Sequence, residues 1–253
     1  MKPRIALLLA LLFIAPLCLA QTTRMDSLLL SFKAAGFDNA VQPASIELEN
    51  YQEKIIPQLI ALLSSKAYVK LQNTTFLIYP GNKALVMTHG SIIPYELDYV
   101  SVRAGWLLEQ LTFNDFGYRT KGVDSDTYSR IMASYFAPGG HPVAQMRWQY
   151  KLSKKQIAHN RSILALKVKK WWQANHAGYT RFAALKAALQ ATYPYRVLLA
   201  LQYLSRPETD CDNLKELYTT EVLPLLETLK QSANEAIRSK AVECLNDNPI
   251  SNP

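Results

Sequence analysis

The chain lacks the patterns that announce a reaction. Its 253 residues contain no Gly-x-Ser-x-Gly elbow, no His-Glu-x-x-His helix and no glycine-rich phosphate loop. Hydrolase, zinc-protease and nucleotide-binding machinery of those kinds is therefore not signalled. Its four histidines, His89, His141, His159 and His176, form no i,i+4 pair that would set two ligands on one helical face. Glycine fades out: after Gly140 only Gly178 follows. The C-terminal third accordingly reads as helix after helix, broken at Pro194, Pro207 and Asp210-Cys211-Asp212. There is no charge block, no low-complexity tract and no segment of linker composition. One domain over 21–245 is expected, with a loose polar tail over 246–253.

Long apolar runs are also missing, except at the start. Lys2 and Arg4 precede an almost wholly apolar stretch, Ile5 to Leu17. Cys18 and Ala20 place small residues at −3 and −1 of a cut before Gln21. This reads as a secretory signal over 1–20. The run is shorter than the ~20 residues a spanning helix needs. The expectation is a periplasmic or secreted protein, with acylation at Cys18 as the lesser alternative because Leu17 is bulky for such a site. Removing 20 residues from 253 leaves 233, enough to bury a core. Without Lys2 and Arg4 the balance is 26 basic to 20 acidic residues, a net of +6. That mild excess permits an acidic partner and does not demand one.

Two cysteines remain, Cys211 and Cys244. An even count in an exported chain favours a disulfide over two buried thiols. Closing that 33-residue separation would stabilise the fold by roughly 3–4 kcal/mol in the loop-entropy picture. No histidine lies near either cysteine, so neither a metal nor another cofactor is expected.

Thr23 to Ala35 carries leucines and Phe32 at helical spacing, with Gly36 as a stop. Ser45 is placed to cap the next helix, with Glu47 in its first turn. Pro57 either kinks one long helix or opens a new one, where its missing N–H costs little. Thr75 to Tyr95 is the least helical stretch. A hairpin of Phe76–Tyr79 with Ala84–Met87 competes there with an irregular loop. Glu96 to Leu111, Thr127 to Phe136, Tyr179 to Ala191, Pro194 to Leu204 and Cys211 to Tyr218 read as helices.

The last unit is Val222 to Leu245, VLPLLETLKQSANEAIRSKAVECL. It resembles a HEAT repeat, in which a helix opened by proline and leucines is followed by one bearing a β-branched, a basic, a small and a leucine residue. Pro224, Leu226, Leu229, Ile237, Arg238, Ala241 and Leu245 fill those places. Pro57, Leu59, Leu62, Val69, Lys70 and Leu77 fit more loosely, with Asn73 where a small apolar residue belongs. Asp98 to Leu108 looks like another second helix, with Arg103 out of register. The resemblance implies an all-α fold of stacked helix pairs, a HEAT-like α-solenoid interrupted around 75–95, with an extended face for a protein partner and no reactive cleft.

The distinctive surface stretch is Arg147 to Trp172. Arg147, Trp148, Lys154, Lys155, Arg161, Lys170, Trp171 and Trp172 interleave cations with aromatics. Such a pattern binds a polyanion or an acidic protein; its alternative is a solvated face with the tryptophans in the core. In an exported chain the anion is not expected to be nucleic acid. Three functions follow in order: a non-catalytic envelope protein that binds another protein; an enzyme acting on an envelope polymer, through His89 or His141 with Asp115 or Asp124; and an immunity protein against a toxin delivered to the periplasm.

Overall fold

The computed structural model describes residues 23–74, 77–79, 91–92, 96–118, 153–206 and 211–246. The expected signal segment over 1–20, the expected strand over 84–87, the expected helix over 127–136 and the tail beyond Asn246 lie outside these residues.

The fold is all-α. Residues 23–32 form α1. A wide π turn, Phe37–Val41, leads into α2 (Gln42–Glu49) and then α3 (Ile56–Leu62). α4 spans Val100–Thr112 and α5 spans Lys154–Asn175. Then come α6 (Arg181–Leu189), α7 (Pro194–Leu204), the single turn α8 (Leu214–Leu217), α9 (Leu223–Leu229) and α10 (Glu235–Asn246). Pro43, Pro57, Pro194 and Pro224 each stand in the first turn of a helix, where no intrahelical donor is lost. Pro57 therefore opens α3. Ser45 lies inside α2, where its hydroxyl donates to Val41 O at 2.7 Å, so the expected cap is not formed.

Helices are neighbours in series. α3 packs on α4, α4 meets α6, α6 pairs with α7, α7 supports α10, and α10 pairs with α9. α4 is the centre: every residue except Trp106 is buried. A helix enclosed on all sides needs small or apolar residues throughout, or charges that find partners. Gly105 illustrates the first condition. A Cβ there would sit 2.4 Å from the Tyr118 ring, which folds back against the helix.

The core divides into three clusters. Phe32, Leu48, Ile55, Ile56 and Leu59 join Leu107, Leu108, Leu164 and Val168 around α3, α4 and α5. Leu185, Leu198, Leu201, Tyr218, Leu226, Ile237 and Ala241 fill the C-terminal half. Val41, Leu71, Leu77, Tyr79, Leu97 and Val102 form a smaller cluster under the irregular segment. Phe113 couples the two main clusters. It ends α4 in the left-handed conformation, φ 50°, which costs a non-glycine residue about 1 kcal/mol. That turn sends its ring into the C-terminal core, edge-on to Tyr203 at 5.3 Å.

One expectation is corrected. The unit laid over Ile55 to Leu77 supplies only its first helix: residues 65–74 are not helical. Gln72 bridges to Gly36 and Tyr68 to Tyr99, and the Leu71 N–H goes to Asp98. These tertiary bonds capture the backbone that a second helix would have used, and α4 packs on α3 instead. Leu77 and Ile78 pair in parallel with Ser91 and Ile92, an arrangement no tight turn can connect; the Ala84–Met87 partner of the expected hairpin lies outside the described residues.

Candidate binding surface

Charges buried around α4 come first, because they hold the scaffold that presents the surface. Asp98 is fully buried and accepts four donors: Tyr68 Oη at 3.1 Å, Lys70 Nζ at 2.9 Å, Leu71 N at 2.9 Å and Tyr79 Oη at 2.8 Å. Four charge-assisted bonds offset the desolvation of one carboxylate. The phenols feel both burial and its charge. Tyr68 is pushed up to about 12, by burial of the hydroxyl first and by Asp98 second. Tyr79 rises further for the same reasons.

Arg103 is 1% exposed. Its guanidinium donates to four carbonyls: Leu97 O, Phe32 O at 3.1 Å, Ala34 O at 2.9 Å and Val69 O at 2.8 Å. Burial lowers its pKa to about 10, against the opposing pull of Asp98. It remains a cation at neutral pH. Glu109 Oε1 accepts the successive N–H groups of Phe116, Gly117 and Tyr118 at 3.0, 2.8 and 2.8 Å, fixing the loop after α4. Glu49 joins the two halves, accepting from Arg181 at 3.4 Å and Arg206 at 2.7 Å. The Arg181 guanidinium also lies 4.3 Å from the Tyr203 ring centre. These carboxylates and guanidiniums are committed to the architecture. Sequence reasoning did not single them out as buried anchors, although Arg103 and Glu109 inside a helix of apolar period were the available signal.

α5 carries the surface. Its start is a capping box: Gln156 N donates to Ser153 Oγ at 3.3 Å, and Ser153 N to Gln156 Oε1 at 2.8 Å. Leu164, Ala165 and Val168 face the core and rest beside α3. Lys167 Nζ donates to Asp115 O and Phe116 O, and Lys169 Nζ to Ser64 Oγ, pinning the helix along its inner edges.

The expected site residues separate. Lys154, Lys155 and Lys170 are exposed. Arg161 turns inward: its guanidinium lies 3.6 Å over the Tyr99 ring and 3.9 Å from Glu96. Trp171 and Trp172 are half-buried, packed against Phe116, Tyr179 and His176. They form a structural aromatic wedge and not a stacking platform, because each meets its neighbours edge-on or tilted. Arg147 and Trp148 lie outside the described residues, as do His89, His141 and Asp124, so the proposed convergence of those groups with Asp115 is not addressed. Exposed beside the three lysines are His159, Ile163 and Leu166.

No bond joins Cys211 to Cys244 in this structure, where both are buried. Cys244 Sγ donates to Leu201 O at 3.2 Å, across to α7, and Cys211 Sγ to Asp212 O at 3.8 Å. The C-terminal pair is held by apolar packing on α7.

No group of three or more His, Cys, Asp or Glu placed to hold a metal occurs among the described residues. No helix among them is long and apolar enough to cross a membrane. No protein-family model, curated protein or solved structure matches the chain. Fold and surface together define an all-α protein of serially packed helices with one long cationic helix on its outside.

Proposed function

We propose that this is a non-catalytic envelope protein, exported by its N-terminal signal, that binds an acidic protein partner through the outer face of α5. The observation that carries this reading is the state of the α5 lysines. Lys154, Lys155 and Lys170 project from the surface, and no acidic residue among those described pairs with them. Lys154 and Lys155 stand in the first turn, where the helix dipole disfavours cations by about 0.3–1 kcal/mol each. Their position costs the helix rather than stabilising it, which supports recognition as their use. The serial packing of α3/α4, α6/α7 and α9/α10 supports a HEAT-like solenoid as the underlying architecture, since such arrays offer extended surfaces.

The test is affinity isolation from the envelope fraction with the full chain and with Lys154→Glu/Lys155→Glu/Lys170→Glu. An acidic protein retained by the parent chain and lost with the variant, in a salt-dependent manner, is the expected result. Equal retention by both chains would refute α5 as the docking element.

A further inference from the structure

The outer face of α5 restricts what can lie on it. Lys155, His159, Ile163, Leu166 and Lys170 follow at intervals of four, four, three and four, so they share one line along the helix. At 1.5 Å per residue that line is ~22 Å long. Its middle is apolar: Ile163 is 51% exposed and Leu166 54%. Its ends are cationic.

The charge of the surrounding stretch of sequence is of one sign. Residues 127–207 contain thirteen Lys and Arg, from Arg130 to Arg206, and no Asp or Glu. The other residues carry 28 − 13 = 15 cations against all 20 acids. α5 therefore offers Lys155 and Lys170 no acidic neighbour three or four residues away, unlike the i,i+3 pairs Lys230–Glu227 at the end of α9 and Lys240–Glu243 in α10. An occupant must bring the negative charge.

We infer that α5 docks an acidic amphipathic helix of the partner protein, laid along this line with apolar side chains over Ile163 and Leu166 and carboxylates against Lys155 and Lys170. This deepens the binding role given to α5 above and rests on it. The four, four, three and four spacing keeps these side chains on one face, along which a second helix can lie and pack its own ridge of side chains. A strand partner would need an open sheet edge, and a helix face has no free backbone donors to offer one. A bilayer surface would need a broad apolar face to bury, and here two apolar side chains stand between cations.

The experiment is residue-level photocrosslinking of the full chain in the cells that make it. A benzophenone amino acid replaces Leu166 or Ile163, and Val242 on α10, itself 40% exposed, serves as the control position. The expected product joins Leu166 or Ile163 to a net-acidic segment of another protein, with apolar residues three and four apart. The yield should fall at least tenfold with Lys155→Glu/Lys170→Glu, while the circular dichroism and melting of that variant match the parent. A crosslinked segment that is non-acidic or lacks helical periodicity overturns the helix inference and leaves α5 as a protein-binding surface. Crosslinks to lipid, to a second copy of this chain, or to nothing overturn both.

Discussion

Arg103→Met removes the most heavily used side chain in the core and replaces it with an apolar one of similar length. In the parent, one guanidinium satisfies four carbonyls: Phe32 at the end of α1, Ala34 just after it, Val69 in the segment between α3 and α4, and Leu97 before α4. A hydrogen bond to a charged donor contributes ~1.5–3 kcal/mol net, and a carbonyl left bare in the interior costs a further ~1–3 kcal/mol. Sparing the guanidinium its own desolvation offsets part of this, as the depressed pKa of about 10 indicates. Asp98 also loses the attraction of a nearby buried cation. The balance resembles breaking a buried ion pair, about 3–5 kcal/mol. That is a large share of the 5–15 kcal/mol that holds a domain folded. In a chain of this size it lowers the melting temperature by about 6–20 °C. Equilibrium urea unfolding followed by circular dichroism measures it, with ΔG taken at unchanged m. Arg103→Lys should fall between the two, because one ammonium keeps the charge and has three donors for four carbonyls. A methionine variant within about 1 kcal/mol of the parent would refute the idea that these carbonyls depend on Arg103.

Other perturbations test other parts of the scaffold. Gly105→Ala should destabilise by about 1–3 kcal/mol, since its Cβ meets the Tyr118 ring at 2.4 Å; shortening that ring with Tyr118→Leu in the same chain should recover part of the loss in a thermal melt. Glu49→Gln should cost about 3 kcal/mol by leaving Arg181 and Arg206 without their carboxylate, and hydrogen exchange should show the α6–α7 region opening more readily. Alkaline pH should unfold the protein in a defined window. Tyr218 is raised to about 12 by burial, and burial also raises Tyr79, Tyr118 and Tyr179. The unfolded phenols ionise first, near 10, so stability is complete below pH 10 and falls as pH rises from 10 towards 12. Each buried phenol contributes ~1.4 kcal/mol per pH unit to that fall, measurable as a declining urea midpoint that coincides with phenolate absorbance.

Much of the helix plan was legible because it is written in local signals. Pro194 to Leu204 is α7 end to end, and Pro57 and Pro224 open helices as their fixed φ and missing N–H require. The cations of α5 were legible as a patch, but their orientation was not. Arg161 and Lys170 are equally basic in sequence, yet one lies on Tyr99 and the other in solvent. That difference depends on which side of α5 meets α3 and α4. Trp171 and Trp172 were drawn inward by Phe116 and Tyr179 for the same reason.

By itself, then, the sequence determined that this is an all-α protein with short helices opened by prolines, because capping, proline geometry and apolar period act within a few residues. It could not determine that residues 65–74 stay extended. Their periodicity allowed a helix, and only Asp98, Arg103 and Tyr99, some thirty residues away, outbid the local bonds. The pairing of α3 with α4, the burial of Cys244 against Leu201 and the outward line from Lys155 to Lys170 belong to tertiary structure as well. Each depends on contacts between segments far apart in the chain, where one packing arrangement satisfies the buried charges and the alternatives strand them.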